Sequence, residues 1–233
     1  MKMFVLHLLL LSALFICRPA FAGDEEPNIP NLDDPATHQK LLDLCAAQMT
    51  LNPRDYRPYA SRASLYCHDH KFKEALLDAQ KANELKPHDA DVNALLGEIA
   101  SVQGRFSDSA SYYGEAIKLD SQKAFLYANR GGTYIKLRKF SEAQSDLMRA
   151  IQLDPKLGAA YEGMAEISYA YGKYSQSVNY CNQALKLDPT DYEAYFYRGC
   201  SYEKLGNASQ GTADKNKAVK LGYNGKGRFV TAK

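Results

Sequence analysis

The sequence predicts an all-α fold, a solenoid of stacked helical hairpins, and three observations predict it. Alanine recurs every 34 residues at Ala82, Ala116, Ala150, Ala184 and Ala218. A leucine follows each three places later, at Leu85, Leu119, Leu153, Leu187 and Leu221. Pro53, Pro87, Pro155 and Pro189 keep the same beat, with Ser121 and Tyr223 at the two remaining turns. A repeat of this length with two helical stretches per unit is a hairpin that cannot bury its apolar face alone and must lean on its neighbours. Function then belongs to the surface of the stack.

Residues 1–22 are expected to be a secretory signal. Lys2 precedes an apolar run from Met3 to Cys17, and the segment closes on Ala20-Phe21-Ala22, a small-residue cleavage site before Gly23. The run is shorter than the roughly 20 apolar residues of a spanning helix and is interrupted by His7. A retained membrane anchor is the alternative reading, and lipid attachment at Cys17 is disfavoured by the bulky Ile16 before it. The expected location is periplasmic or secreted. In a eukaryotic secretory pathway Asn207-Ala208-Ser209 would be a glycosylation acceptor.

Without Lys2 and Arg18 the chain carries 27 basic and 27 acidic residues, so net charge gives no reason to expect a nucleic acid partner. The charges are polarised: residues 23–100 hold 14 acids and 8 bases, residues 101–233 hold 13 acids and 19 bases. Such a gradient can orient a partner, or two copies head to tail.

Residues 23–32, GDEEPNIPNL, are acidic and without helical period, and read as a flexible lead-in. Asp34-Pro35 offers a cap followed by proline at the first helical position, which opens a capping helix within 33–53. Five units follow at 56–89, 90–123, 124–157, 158–191 and 192–225, and a basic, mobile tail is expected over 226–233. Gly104, Gly172 and Gly206 mark the turn inside three units. Small residues of the first helices (Ala63, Gly97, Gly131, Ala165, Gly199) fall opposite small residues of the second (Ala75, Ser109, Ala143, Ser177, Gly211), so paired helices are expected to approach closely. Aromatics open the first helix at Tyr59, Tyr127, Tyr161 and Tyr195, and the second at Phe72, Phe106, Phe140 and Tyr174. The last helix, with Gly211 in its interior, is expected to be the weakest, because glycine costs about 1 kcal/mol against alanine there.

This pattern of aromatic, small residue and tyrosine, then aromatic, two alanines and a closing Leu153-Asp154-Pro155 or Leu187-Asp188-Pro189, resembles the tetratricopeptide repeat. The resemblance covers five in-phase copies. It implies a right-handed superhelix whose concave groove, lined by the first helices, receives a peptide or helix of another protein. Carried onto this chain, the groove comprises Phe125, Asn129, Ile135, Glu162, Glu166, Tyr169, Phe196 and Glu203, with Ser64, Glu98, Gly132 and Cys200 at matching positions. Asn129 stands where related proteins grip a peptide backbone. The basic clamp for a terminal carboxylate is missing, with Ala60, Ser64 and Ala94 in its places.

Catalysis finds little support, since no serine or cysteine nucleophile has a base placed by the repeat register. Neither a cofactor nor a metal is expected. Cys67-His68-Asp69-His70 does not have the spacing of a closed zinc site, His88 lies at the far edge of the hairpin, and His38 reads as isolated. Export would let cysteines pair, and the turn arithmetic suggests Cys181 with Cys200 and, more loosely, Cys45 with Cys67. The expected function is an exported, non-enzymatic adaptor for another protein. The alternatives are a homo-oligomer sealed through the last helix, with Val219 and Leu221, and an accessory subunit of an enzyme complex.

Overall fold

The computed structural model describes residue 32 and residues 34–224; the expected signal, the tail over 226–233 and most of the lead-in lie outside them. Among the described residues there are eleven α-helices, no strands, and no helix long and apolar enough to cross a membrane. They fall into two compact units divided after Ser121.

The first unit holds α1 (Pro35–Leu51), α2 (Tyr56–His68), α3 (Phe72–Leu85), α4 (Ala90–Val102) and α5 (Phe106–Leu119). Helix α1 starts where the sequence places it: the Asp34 side chain accepts from the Thr37 amide at 3.0 Å and Pro35 fills the first turn, where its missing N–H costs nothing. Asp55 and Asp89 cap α2 and α4 in the same manner. One apolar cluster runs through the unit, from Cys45 through Ala63, Leu65, Ala75 and Ala79 to Leu96 and Ile99. Leu32, the one described residue of the lead-in, is part of that cluster and only 6% exposed.

The second unit holds α6 (Ala124–Lys136), α7 (Phe140–Leu153), α8 (Gly158–Ala170), α9 (Tyr174–Leu187), α10 (Tyr192–Lys204) and α11 (Ala208–Lys220). Small residues let the paired helices touch. A Cβ on Gly131 would lie 2.8 Å from Leu147 Cγ, and one on Gly163 2.8 Å from Leu147 Cδ1, so Leu147 of α7 is lodged between glycines of α6 and α8. In the next repeat the Ser177 hydroxyl donates to the Ala165 carbonyl at 2.9 Å. Gly211 has a different role from the one its helix propensity suggests. A Cβ there would meet the Gly199 carbonyl oxygen at 2.7 Å, so glycine is what permits the approach of α11 to α10.

The turn between paired helices requires a left-handed residue in every repeat. Gly104, Gly172 and Gly206 supply it at φ 76°, 72° and 84°, while His70 and Arg138 adopt it at φ 59° and 60°. A side chain in that region is disfavoured by about 1 kcal/mol or more, against which glycine's greater freedom in the unfolded chain is set. Arg138→Gly is expected to raise stability by about 0.5 kcal/mol, measured by urea denaturation; a loss of stability would mean that the Arg138 side chain holds the turn.

A second periodicity is laid over the first. Arg62 pairs with Asp78 (Nε–Oδ2 2.6 Å, Nη2–Oδ1 2.8 Å), Arg130 with Asp146 (2.7 and 2.8 Å) and Arg198 with Asp214 (2.7 and 2.8 Å), each joining first to second helix. The intervening repeats put Leu96 with Tyr112 and Met164 with Tyr180 at those positions, inside apolar clusters. Charged and apolar hairpins therefore alternate.

Candidate functional site

In the second unit the first helices α8 and α10 place Glu166, Tyr169 and Tyr197 together. The Tyr197 hydroxyl hydrogen-bonds the Glu166 carboxylate, and the Tyr169 ring lies 6.1 Å from that of Tyr197 and 5.4 Å from that of Tyr174. Glu166 Oε1 is buried without a partner. Burial raises the Glu166 pKa, and nearby Lys136 only partly counters it. Asn129 also carries an unpartnered buried atom, Nδ2, while its backbone carbonyl accepts from the Thr133 hydroxyl at 2.9 Å. Phe125 and Glu162 are partly exposed on α6 and α8. Beside Asn129, a Cβ on Gly132 would meet nothing within 4 Å, so the wall is open there.

Three of the expected groove residues are otherwise engaged. Ile135 is 2% exposed within the core cluster that includes Phe140, Ala143 and Ile167. Glu203, though exposed, is ion-paired with Lys215 of α11 at 2.5 Å. Both stand four residues after a close-packing glycine, Gly131 or Gly199, and a four-residue step returns to the same helix face. They therefore turn toward the second helix of their own hairpin. Phe196 is stacked on Tyr223, ring centroids 4.1 Å apart, so its face is covered by the residue that follows the last helix.

Neither expected pairing, Cys181 with Cys200 or Cys45 with Cys67, is present among the described residues, where all four cysteines are buried. Helix α10 presents Arg198 and Ser201 to α9, where they bond Asn182 (2.8 Å) and Ser177 (3.0 Å). Cys200, one position before Ser201 and about 100° around the helix, lies near Lys215 and Glu203 instead. Burial pushes the Cys181 thiol up to about 12 and that of Cys200 to about 11. In the first unit Cys45 sits near Arg62 and Cys67 near Glu98. An offset of five residues about the Asn52–Asp55 turn separates the two cysteines by about 7.5 Å along the helix axis, beyond the reach of a disulfide once the spacing between helices is added.

The first unit repeats the carboxyl motif. Glu98 of α4 is the counterpart of Glu166, two repeats earlier, and its Oε2 is likewise buried and unpartnered. Burial alone pushes its pKa from the ordinary 4.5 to about 7. Because the folded state holds this proton more tightly than the unfolded chain, stability from this group is complete below pH 4.5 and is lost as pH rises through 7. Glu98→Gln is thus expected to leave stability at pH 4.5 unchanged and to raise it at pH 8 by about 1 to 3 kcal/mol. Urea denaturation at both pH values checks this; equal effects at the two would place the carboxylate in water.

His38, isolated in the sequence, is not isolated in the structure. Its Nε2 lies 3.0 Å from Asp69 Oδ1, and its ring centroid is 5.6 Å from that of His68.

Comparison with known proteins agrees with the repeat register. Family profiles for the tetratricopeptide repeat match residues 126–157, 159–191 and 180–212. No curated protein sequence matches the chain. Among solved structures it is similar to YrrB, described as a TPR protein with an unusual peptide-binding site, at 19% identity and TM-score 0.59 over 78% of this chain and 93% of that one. It also resembles PilF of Pseudomonas aeruginosa (18% identity, TM-score 0.62, 80% and 77% covered). A third likeness is to the APC/C hetero-tetramer Cut9–Hcn1 (16% identity, TM-score 0.75, 82% and 38% covered). At these identities the structural likeness speaks to fold, and the profiles speak to the repeats themselves. The chain therefore carries tetratricopeptide repeats over residues 126–212, and the 34-residue register extends the same hairpin pattern to the helices that precede them.

Proposed function

We propose that the protein is an exported, non-enzymatic adaptor whose first helices bind a peptide or helix of a partner protein, and that the bound segment carries basic side chains. The observation that carries this reading is the pair of carboxyls Glu98 and Glu166. They share one repeat position, and each has a buried oxygen without a partner among the described residues. A buried polar atom left unpaired costs about 1 to 3 kcal/mol, and a lysine or arginine from a partner would recover that and add a charge-assisted bond. The partly exposed rings of Tyr169 and Tyr197 beside Glu166 suit the aliphatic stem of such a side chain. The unpartnered Asn129 Nδ2 offers a donor for a peptide carbonyl. The description of YrrB as peptide-binding favours the same use of the fold. Export rests on the character of residues 1–22.

The test is an array of amphipathic 20-residue peptides of graded basic content, followed by fluorescence anisotropy on those retained. Basic peptides are expected to bind, and Glu166→Gln to weaken the tightest of them by about tenfold with the helical circular dichroism unchanged. Unchanged affinity, or retention of acidic peptides instead, overturns the assignment. Val219, 60% exposed on α11, favours a second reading, a homo-oligomer through the last helix. Light scattering decides it, since a mass independent of concentration removes it.

A further inference from the structure

We propose that His38, His68 and Asp69 form a zinc site that fastens α1 to the end of α2. One ligand atom from each of the three lies within 4.8 Å of the others. His38 Nε2 and Asp69 Oδ1 are 3.0 Å apart, and His68 Nδ1 is 3.8 Å from the same oxygen. Two ligands about 2.0 to 2.1 Å from one tetrahedral zinc ion are about 3.3 Å from each other, so these separations bracket the required one.

The chemistry of the donors fits the same ion. Two imidazoles and a carboxylate suit a borderline cation, with water as fourth ligand, and do not suit magnesium or calcium, which take oxygen ligands. His38 is nearly buried, its side chain 12% exposed, with Nε2 3.0 Å from Asp69 Oδ1 and Nδ1 without a partner among the described residues. Lys71 Nζ holds the other carboxylate oxygen, Asp69 Oδ2, at 2.9 Å, which fixes the carboxyl group and leaves Oδ1 turned to the two rings. The ligands come from the first turn of α1 and the last turn of α2, and the second half of the site, His68-Asp69, ends the first helix of the first repeat. Zinc would therefore lock the terminal helix over the repeat that it covers.

The full chain, stripped with a chelator, is titrated with zinc chloride at pH 7.5 by calorimetry, with magnesium and calcium as controls. The expected result is one zinc ion per chain, a melting temperature that climbs with zinc concentration, and no response to the other two ions. His38→Gln, His68→Gln and Asp69→Asn are each expected to weaken zinc binding by about tenfold or more, with helical content retained. Cys67→Ala is expected to bind as the wild type does. Should one variant fail to fold, the other two carry the test. No saturable heat, or zinc affinity unaltered by the folded variants, overturns the proposal, and loss of zinc binding in Cys67→Ala alone would move the ion to the thiol.

Discussion

Gly131→Leu is expected to lower the stability of the protein by about 3 kcal/mol, while Gly132→Ala, one residue away on the same helix, is expected to raise it by up to about 1 kcal/mol. The opposite signs follow from what each Cβ meets. At Gly131 it would sit 2.8 Å from Leu147 Cγ and 3.3 Å from the Ala143 carbonyl oxygen. Leu147 cannot retreat, because on its other side it already presses on Gly163. A leucine there must separate α6 from α7, and the interior is packed too densely to absorb the added methylenes. At Gly132 nothing lies within 4 Å, so alanine gains helix propensity without a steric cost. Thermal melts of the two variants check the pair. Equal shifts would mean that the helices are not in contact at Gly131.

How much of this was legible in the sequence depends on the kind of interaction. Hairpin boundaries were, because Pro53, Pro87, Pro155 and Pro189 stop helices for local reasons that hold in any context. The stripe of small residues was legible too, since Gly131 and Ala143 are meaningful only as a close approach. Groove membership was less so. Ile135, Tyr169 and Glu203 occupy one repeat position, yet one is core, one lies among tyrosines and one is ion-paired with Lys215. A position four residues beyond a small packing residue, here Gly131, Ala165 or Gly199, lies at the border of two faces, and its fate depends on the side chain it carries.

Other contacts were present in the sequence but needed the register to be applied more widely. His38 and Asp69 are equally far from the turn at Pro53-Arg54, the same arithmetic that was applied to cysteines, and the structure puts them 3.0 Å apart. For Cys181 and Cys200 that arithmetic gave nearly the right level and the wrong face, because level along an axis says nothing of rotation about it. Helical phase relative to Ser201 supplies the missing constraint.

The alternation of charged and apolar hairpins leads to a result that neither half of it gives alone. Asp146→Ala is expected to destabilise the protein by about 2 to 4 kcal/mol, because it leaves the Arg130 guanidinium, 21% exposed, facing the second helix without its carboxylate. The value stands below that of a fully buried pair because Arg130 keeps some water and the faces of Tyr127 and Tyr134, 6.0 and 5.7 Å from its guanidinium carbon. Replacing both members by the residues that the next repeat uses, Arg130→Met with Asp146→Tyr, removes the desolvation of two charges as well as their attraction. Met164 and Tyr180 already fill that position within an apolar cluster, so the shape is one that this hairpin accommodates. The double variant is expected to recover most of what Asp146→Ala loses, and the comparison is made by urea denaturation of all three proteins. If the double variant is as unstable as the single one, the two ion-paired repeats that flank an apolar one are not interchangeable with it, and the 68-residue period is a requirement of the stack rather than two solutions to one packing problem.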